Sequence, residues 1–77
     1  MNKPRRMMDD GRLVHKVNQI ALFHEPYPLE AAVAGVAEHL RKFWTPTMRA
    51  QLQEFAASAA GQQLHPLIHK ALTRLAD

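Results

Sequence analysis

Histidine, arginine and a lone serine have the strongest claim to chemistry in this sequence. His65 and His69 stand four apart, so a helix would turn both imidazoles the same way, but a zinc site needs a third ligand and an organised second shell. Neither is offered: there is no HExxH run, no cysteine, and the nearby acidic residue is Asp77. His65 therefore reads as a helix-start residue and His69 as a solvated one. Ser58 is the only serine and sits in an alanine-rich stretch with no glycine elbow and no triad order. Asp9 and Asp10 are adjacent and suit helix capping better than paired-carboxylate catalysis. His15, His24 and His39 lie beside Lys16, Glu25 and Glu38, where helix-end or surface electrostatics accounts for them. The GVA at Gly35 has one glycine and no Lys-Ser/Thr pair after it, so it is not a phosphate loop. No set of side chains specifies a reaction, and catalysis by this chain alone is not expected.

Recognition is the chemistry that remains. Leu40 to Arg49, LRKFWTPTMR, holds the only tryptophan, a phenylalanine beside it, and basic residues on both sides. Phe43 and Trp44 end one apolar-periodic segment. Thr45 can cap the next, with Pro46 as its first helical residue because proline presets a helical φ where the N–H would be orphaned anyway. The result is a helix corner with an aromatic wedge, which serves either as core or as an interface anchor, since Trp, Met and Arg anchor interfaces well. Arg49, one residue past Met48, is expected to point its guanidinium outward, toward a carboxylate on a partner or toward phosphate. Arg41 and Lys42 stand on the other side of the wedge.

Four helical segments would position this corner. Asp9 or Asp10 caps a helix over roughly residues 11–24, with Leu13, Val17 and Ile20 on one stripe and Val14 and Ala21 widening it. Leu22 and Phe23 fall on other faces, so this helix shows apolar surface in more than one direction. Asn18 and Gln19 bring amides beside the stripe, able to bond a neighbouring helix end or an incoming chain. Pro26 stops the helix and Pro28 suits the first turn of the next. The second helix, from about Leu29 to Phe43 or Trp44, carries Leu29, Val33, Val36, Leu40 and the aromatic pair on its stripe. Gly35 costs that helix about 1 kcal/mol against alanine, which a close approach would offset. A third helix, Pro46 to about Ala60, should bury Met48, Leu52, Phe55, Ala56 and Ala59 and end at Gly61. A short fourth helix begins near His65-Pro66 and buries Leu67, Ile68, Ala71, Leu72 and Leu75. The fold class is all-α: a small single domain of three to four short antiparallel helices over residues 9–77, preceded by a flexible basic stretch at 1–8.

At 77 residues without a disulfide, such a domain has a small core and gains from a partner. The net charge of +3 comes from Lys3, Arg5 and Arg6; without them basic and acidic residues balance. That weakens a nucleic-acid reading, which would need a basic stripe on the folded body. No apolar run approaches the roughly 20 residues of a membrane span, and no signal peptide is expected.

The chain resembles the delta subunit of soluble NAD-dependent formate dehydrogenases. The resemblance rests on LVHKVNQIALF, EAAVAGVAEHLRKFWTPTMRAQL and LHPLIHKAL, in that order and covering roughly Leu13 to Leu75. It implies a noncatalytic accessory subunit of a cytoplasmic complex oxidising formate to carbon dioxide, supporting assembly, stability or cofactor retention. The implied partners are the alpha, beta and gamma subunits, alpha in most direct contact. They would carry a molybdenum or tungsten bis-pterin centre, iron-sulfur clusters and FMN, leaving this chain without a cofactor. The family motif falls on Asn18, Gln19, Ile20, Gly35, His39, Phe43, Trp44, Pro46, Met48 and Arg49, for which structural or partner-contact roles follow. A small helical nucleic-acid-binding or regulatory protein is the alternative reading.

Overall fold

The computed structural model describes residues 9–76, all of it helical apart from short connections. The stretch at 1–8 expected to be flexible lies outside the described residues. Helix α1 spans Asp10–His24, α2 Leu29–Phe43, α3 Pro46–Ala57 and α4 Pro66–Ala76, with a 3-10 helix at Ala59–Gln63 between the last two.

Each boundary has a local cause. Asp9 caps α1 by accepting the Arg12 backbone N–H at 2.9 Å. The helix stops where Pro26 can no longer donate, and Tyr27 N–H closes the turn on His24 O at 3.0 Å. Pro28 stands one position earlier than expected, at the N-cap of α2, where it offers only its carbonyl, taken by Ala32 N–H at 2.8 Å. Thr45 caps α3 through its hydroxyl, 3.1 Å from Met48 N, and Pro46 follows in the first turn.

The third helix is shorter than its periodicity predicts. Ser58 ends it: the backbone turns extended, and its hydroxyl donates to Phe55 O at 2.6 Å and accepts from Ala60 N–H at 3.2 Å. A serine that satisfies both a helix end and the start of the next turn competes with helix continuation. Ala59 consequently lies exposed in the 3-10 helix instead of buried on α3. Gly61 does not terminate α3 but sits buried inside the 3-10 helix, where a Cβ would collide with the Ala56 carbonyl. Close approach, not a special φ, is what requires glycine there.

Helices α1, α2 and α4 enclose one core. Leu13, Val17 and Ala21, spaced every fourth residue, meet Val33, Val36, Ala37 and Leu40 of α2 and Leu67, Ile68, Ala71 and Leu72 of α4. Residues facing one another run oppositely on α1 and α2: His24 lies against Gly35, while Lys16 shares a depression with Phe43. The same holds for α2 and α4, where Glu30 at one helix start pairs with Arg74 near the other's end. Leu52 of α3 closes the core from the side, flanked by the partly buried Met48 and Phe55. The molecule is elongated, 44 × 22 × 19 Å.

Two residues placed on the buried stripe of α2 are outside it. Leu29, the first residue of α2, is 59% exposed at the mouth of the α2–α4 seam. Phe43 is 71% exposed while its neighbour Trp44 is buried. Trp44 leaves the helix with extended backbone and its indole belongs to the core, whereas Phe43 borders the open flank between α1 and α2, which it shares with Lys16, Gln19 and Ile20.

Candidate functional site

The outer flank where α1 meets α2 carries a long open groove. Its larger part, about 680 Å³, has Ile20 and Gly35 among its lining residues together with Phe23 and Phe43, which are 70% and 71% exposed. Across Gln19, Ile20, His39 and Phe43 it continues into a second depression of about 470 Å³ that reaches Trp44 and Met48.

Gly35 makes the groove what it is. A Cβ there would stand 2.5 Å from the His24 ring, so the absent side chain lets the imidazole lie directly on α2. His24 is fixed in that place by donating Nδ1–H to Ile20 O at 3.0 Å, and its ring packs edge-on against Phe23 at 5.2 Å between centroids. On the facing helix, His39 lies against Phe43 at 5.0 Å. Burial, then the neighbouring His24 and Lys16, hold the His39 imidazole below its ordinary pKa of 6.5, favouring the neutral ring.

The charge around the groove is uneven. Glu38 serves two cations, Arg41 at 3.0 Å and Lys42 at 3.5 Å. Among the described residues Lys16 forms no ion pair. The end nearest Phe43 therefore carries surplus positive charge beside exposed apolar rings.

The ten residues singled out in the sequence divide between this groove and the frame behind it. Gln19, Ile20, Gly35, His39 and Phe43 line the groove, and Trp44 and Met48 close its far end while packing into the core. Asn18 is a clamp: its amide donates to Gln63 O at 3.0 Å and accepts from His65 N–H at 2.9 Å, tying α1 to the start of α4. Pro46 is exposed at the start of α3.

Arg49 departs most from expectation. Its Nη1 reaches back and donates to Trp44 O at 2.6 Å, Leu40 O at 3.2 Å and Arg41 O at 3.3 Å. These are carbonyls at the end of α2, of which Leu40 O also takes the Trp44 N–H, and a cation suits that end of the helix dipole. Arg49 is thus a cap on α2 and does not point outward toward a partner.

His65 and His69 are likewise engaged within the chain. His65 Nδ1 accepts from Leu67 N–H at 3.0 Å, leaving Nε2–H to donate to Glu25 at 3.2 Å, in keeping with a helix-start role. His69 is half-buried, not simply solvated, and its Nε2–H donates to Gly61 O at 2.9 Å. Among the described residues no cluster of three or more His, Cys, Asp or Glu could hold a metal ion. No helix among them is long and apolar enough to cross a membrane.

His24 was not among the residues read as functional, yet it builds the groove. The signal available was Gly35 itself: a glycine inside a helix implies something close, and the something is this ring. Phe23 had a clearer sign, an apolar side chain off the core stripe of α1.

The family described as NADH-dependent formate dehydrogenase delta subunit, FdsD, matches residues 12–72 of the chain. No curated protein and no solved structure matches it.

Proposed function

Because the chain belongs to the family of NADH-dependent formate dehydrogenase delta subunits, we propose that it is the noncatalytic accessory subunit of a cytoplasmic formate dehydrogenase complex, binding the catalytic subunits through the α1–α2 groove. The observation that carries this reading is positional. Five of the motif residues, Gln19, Ile20, Gly35, His39 and Phe43, come from two helices and line one apolar groove. Core packing accounts for Trp44 and capping for Arg49, but neither accounts for a phenylalanine left 71% exposed in an apolar groove.

In this reading the alpha subunit is the direct contact, and the molybdenum or tungsten bis-pterin centre, iron-sulfur clusters and FMN reside in the partners. The delta chain aids assembly, stability or cofactor retention without touching formate or NAD. Phe43→Glu tests it. The side chain is exposed, so helicity and melting temperature should stay near those of the unaltered chain, within about 0.5 kcal/mol. Recovery of the other subunits with a tagged delta chain should fall severalfold. Full recovery with Phe43→Glu and with Phe23→Glu would remove the groove as the binding surface.

A further inference from the structure

Resting on that reading, we propose that the groove seats a short amphipathic helix of a partner subunit, its apolar side chains between Phe23 and Phe43 and its acidic residues beside Lys16 and Lys42. Three observations define this occupant.

The first is the state of the groove's backbone. Both walls are helix, with their main-chain polar groups used internally, and the ends are closed too: Glu25 N–H takes Ala21 O and Leu22 O, and Trp44 N–H and Arg49 take Leu40 O. The groove offers no ladder of free N–H and C=O groups for a strand to join. A chain entering an apolar cleft must then satisfy its own backbone, and a helix does so.

The second is length. Lys16 to Phe23 spans about 10 Å of helix at 1.5 Å per residue, so the groove matches roughly two turns of an incoming helix. Such a helix presents apolar residues three or four apart to a groove of this kind.

The third is sign. Lys16 has no ion-pair partner among the described residues, and Lys42 shares the single Glu38 carboxylate with Arg41. A carboxylate on the occupant completes both lysines. The chain's own first residues cannot: Lys3, Arg5 and Arg6 carry the same charge as the rim, with no acidic residue before Asp9.

The test uses the full chain assembled with its partner subunits. A photo-crosslinking benzoylphenylalanine is placed at position 23 or 43, and the crosslinked peptides are identified by mass spectrometry. The expected product joins both positions to one segment of another subunit that has apolar residues at three- or four-residue spacing and at least two Asp or Glu. In parallel, Lys16→Glu with Lys42→Glu should lower partner recovery about tenfold at low salt and less at high salt, while the paired Lys→Arg variant retains it. Crosslinks to a second copy of this chain, to nucleic acid or to a segment without acidic residues would overturn the proposal. So would normal recovery of the complex with no crosslink from either position, which leaves the accessory-subunit reading standing. If no other subunit copurifies with the unaltered chain, that reading falls and this one with it.

Discussion

The inner face of α2, with Val33, Val36, Ala37 and Leu40, is sealed by α1 and α4, whereas its outer flank, with Gly35, His39 and Phe43, is left open although it too is apolar. The two faces sit on one helix, a third of a turn apart, and they are built differently. On the sealed face, branched aliphatic side chains interlock. On the open one, aromatic and imidazole rings lie over a glycine. The contrast separates the residues that make the fold from the residues the fold presents.

Substitutions on the sealed side should cost most. Trp44→Ala removes the largest buried side chain at the corner and is expected to lose about 3 to 5 kcal/mol, a large part of what a small domain possesses. Thermal melting by circular dichroism would show a drop of many degrees or loss of the transition. A melt like that of the unaltered chain would mean that the corner is not core.

Arg49 sharpens the boundary between the two sides. Had its guanidinium faced solvent, charge removal would be nearly silent. As a cap donating to three carbonyls it should cost about 1.5 to 3 kcal/mol in Arg49→Ala, the range for hydrogen bonds to a charged group, toward the lower end because the site is half-exposed. Denaturant titration measures this, and a midpoint unmoved by the substitution would contradict the capping geometry.

Gly35→Ala should do the reverse, changing the open flank while sparing the fold. The helix gains about 1 kcal/mol in propensity, and the new methyl displaces the His24 ring, losing its bond to Ile20 at about 1 kcal/mol. The melting temperature should barely move while partner recovery falls, because the displaced ring enters the groove. A large destabilisation would show that His24 cannot swing aside and belongs to the core after all.

The smallest effect is a pH dependence. Because the folded state holds His39 below its ordinary value of 6.5, the unfolded chain binds more protons as pH falls below that value, and stability declines until the lowered folded pKa is passed. Well above 6.5, the unfolded value, the contribution is fully present. Melts at pH 7.5 and 5.5 should therefore show a small acid destabilisation that is reduced in His39→Gln. An equal response in both chains would assign the effect to other groups.

Much of the fold was legible because the core residues repeat at helical spacing and most boundaries carry a capping side chain or a proline. Leu13 and Val17 could be assigned from period alone, whereas Ile20, expected at the centre of that stripe, is only partly buried and Ala21, expected at its edge, is fully buried; Asp9 and Thr45 could be assigned from the residues that follow them. Periodicity failed where both sides of a position are apolar. Nothing in KFW says that the first ring goes outward and the second inward, since that depends on what the neighbouring helices leave open around each. In the sequence Ser58 looks like an ordinary helical residue because its two competing bonds form only once the chain has turned. The inward turn of Arg49 is invisible in sequence because its acceptors, main-chain carbonyls at the end of α2, leave no mark in the order of side chains. The groove was half visible: its residues were singled out one by one through the family motif, but their convergence needed the antiparallel pairing of α1 and α2.

The Asn18 clamp has a consequence in time. Its two bonds reach residues 45 and 47 positions ahead in the chain, so α1 is synthesised well before the residues that fasten it. At about 5 to 20 residues per second, α1 waits several seconds on the ribosome before Gln63 and His65 exist to hold it. During that interval Leu13, Val17 and Ala21 have no α4 to lie against, and the newborn chain must be kept from associating through a surface that the finished protein never shows.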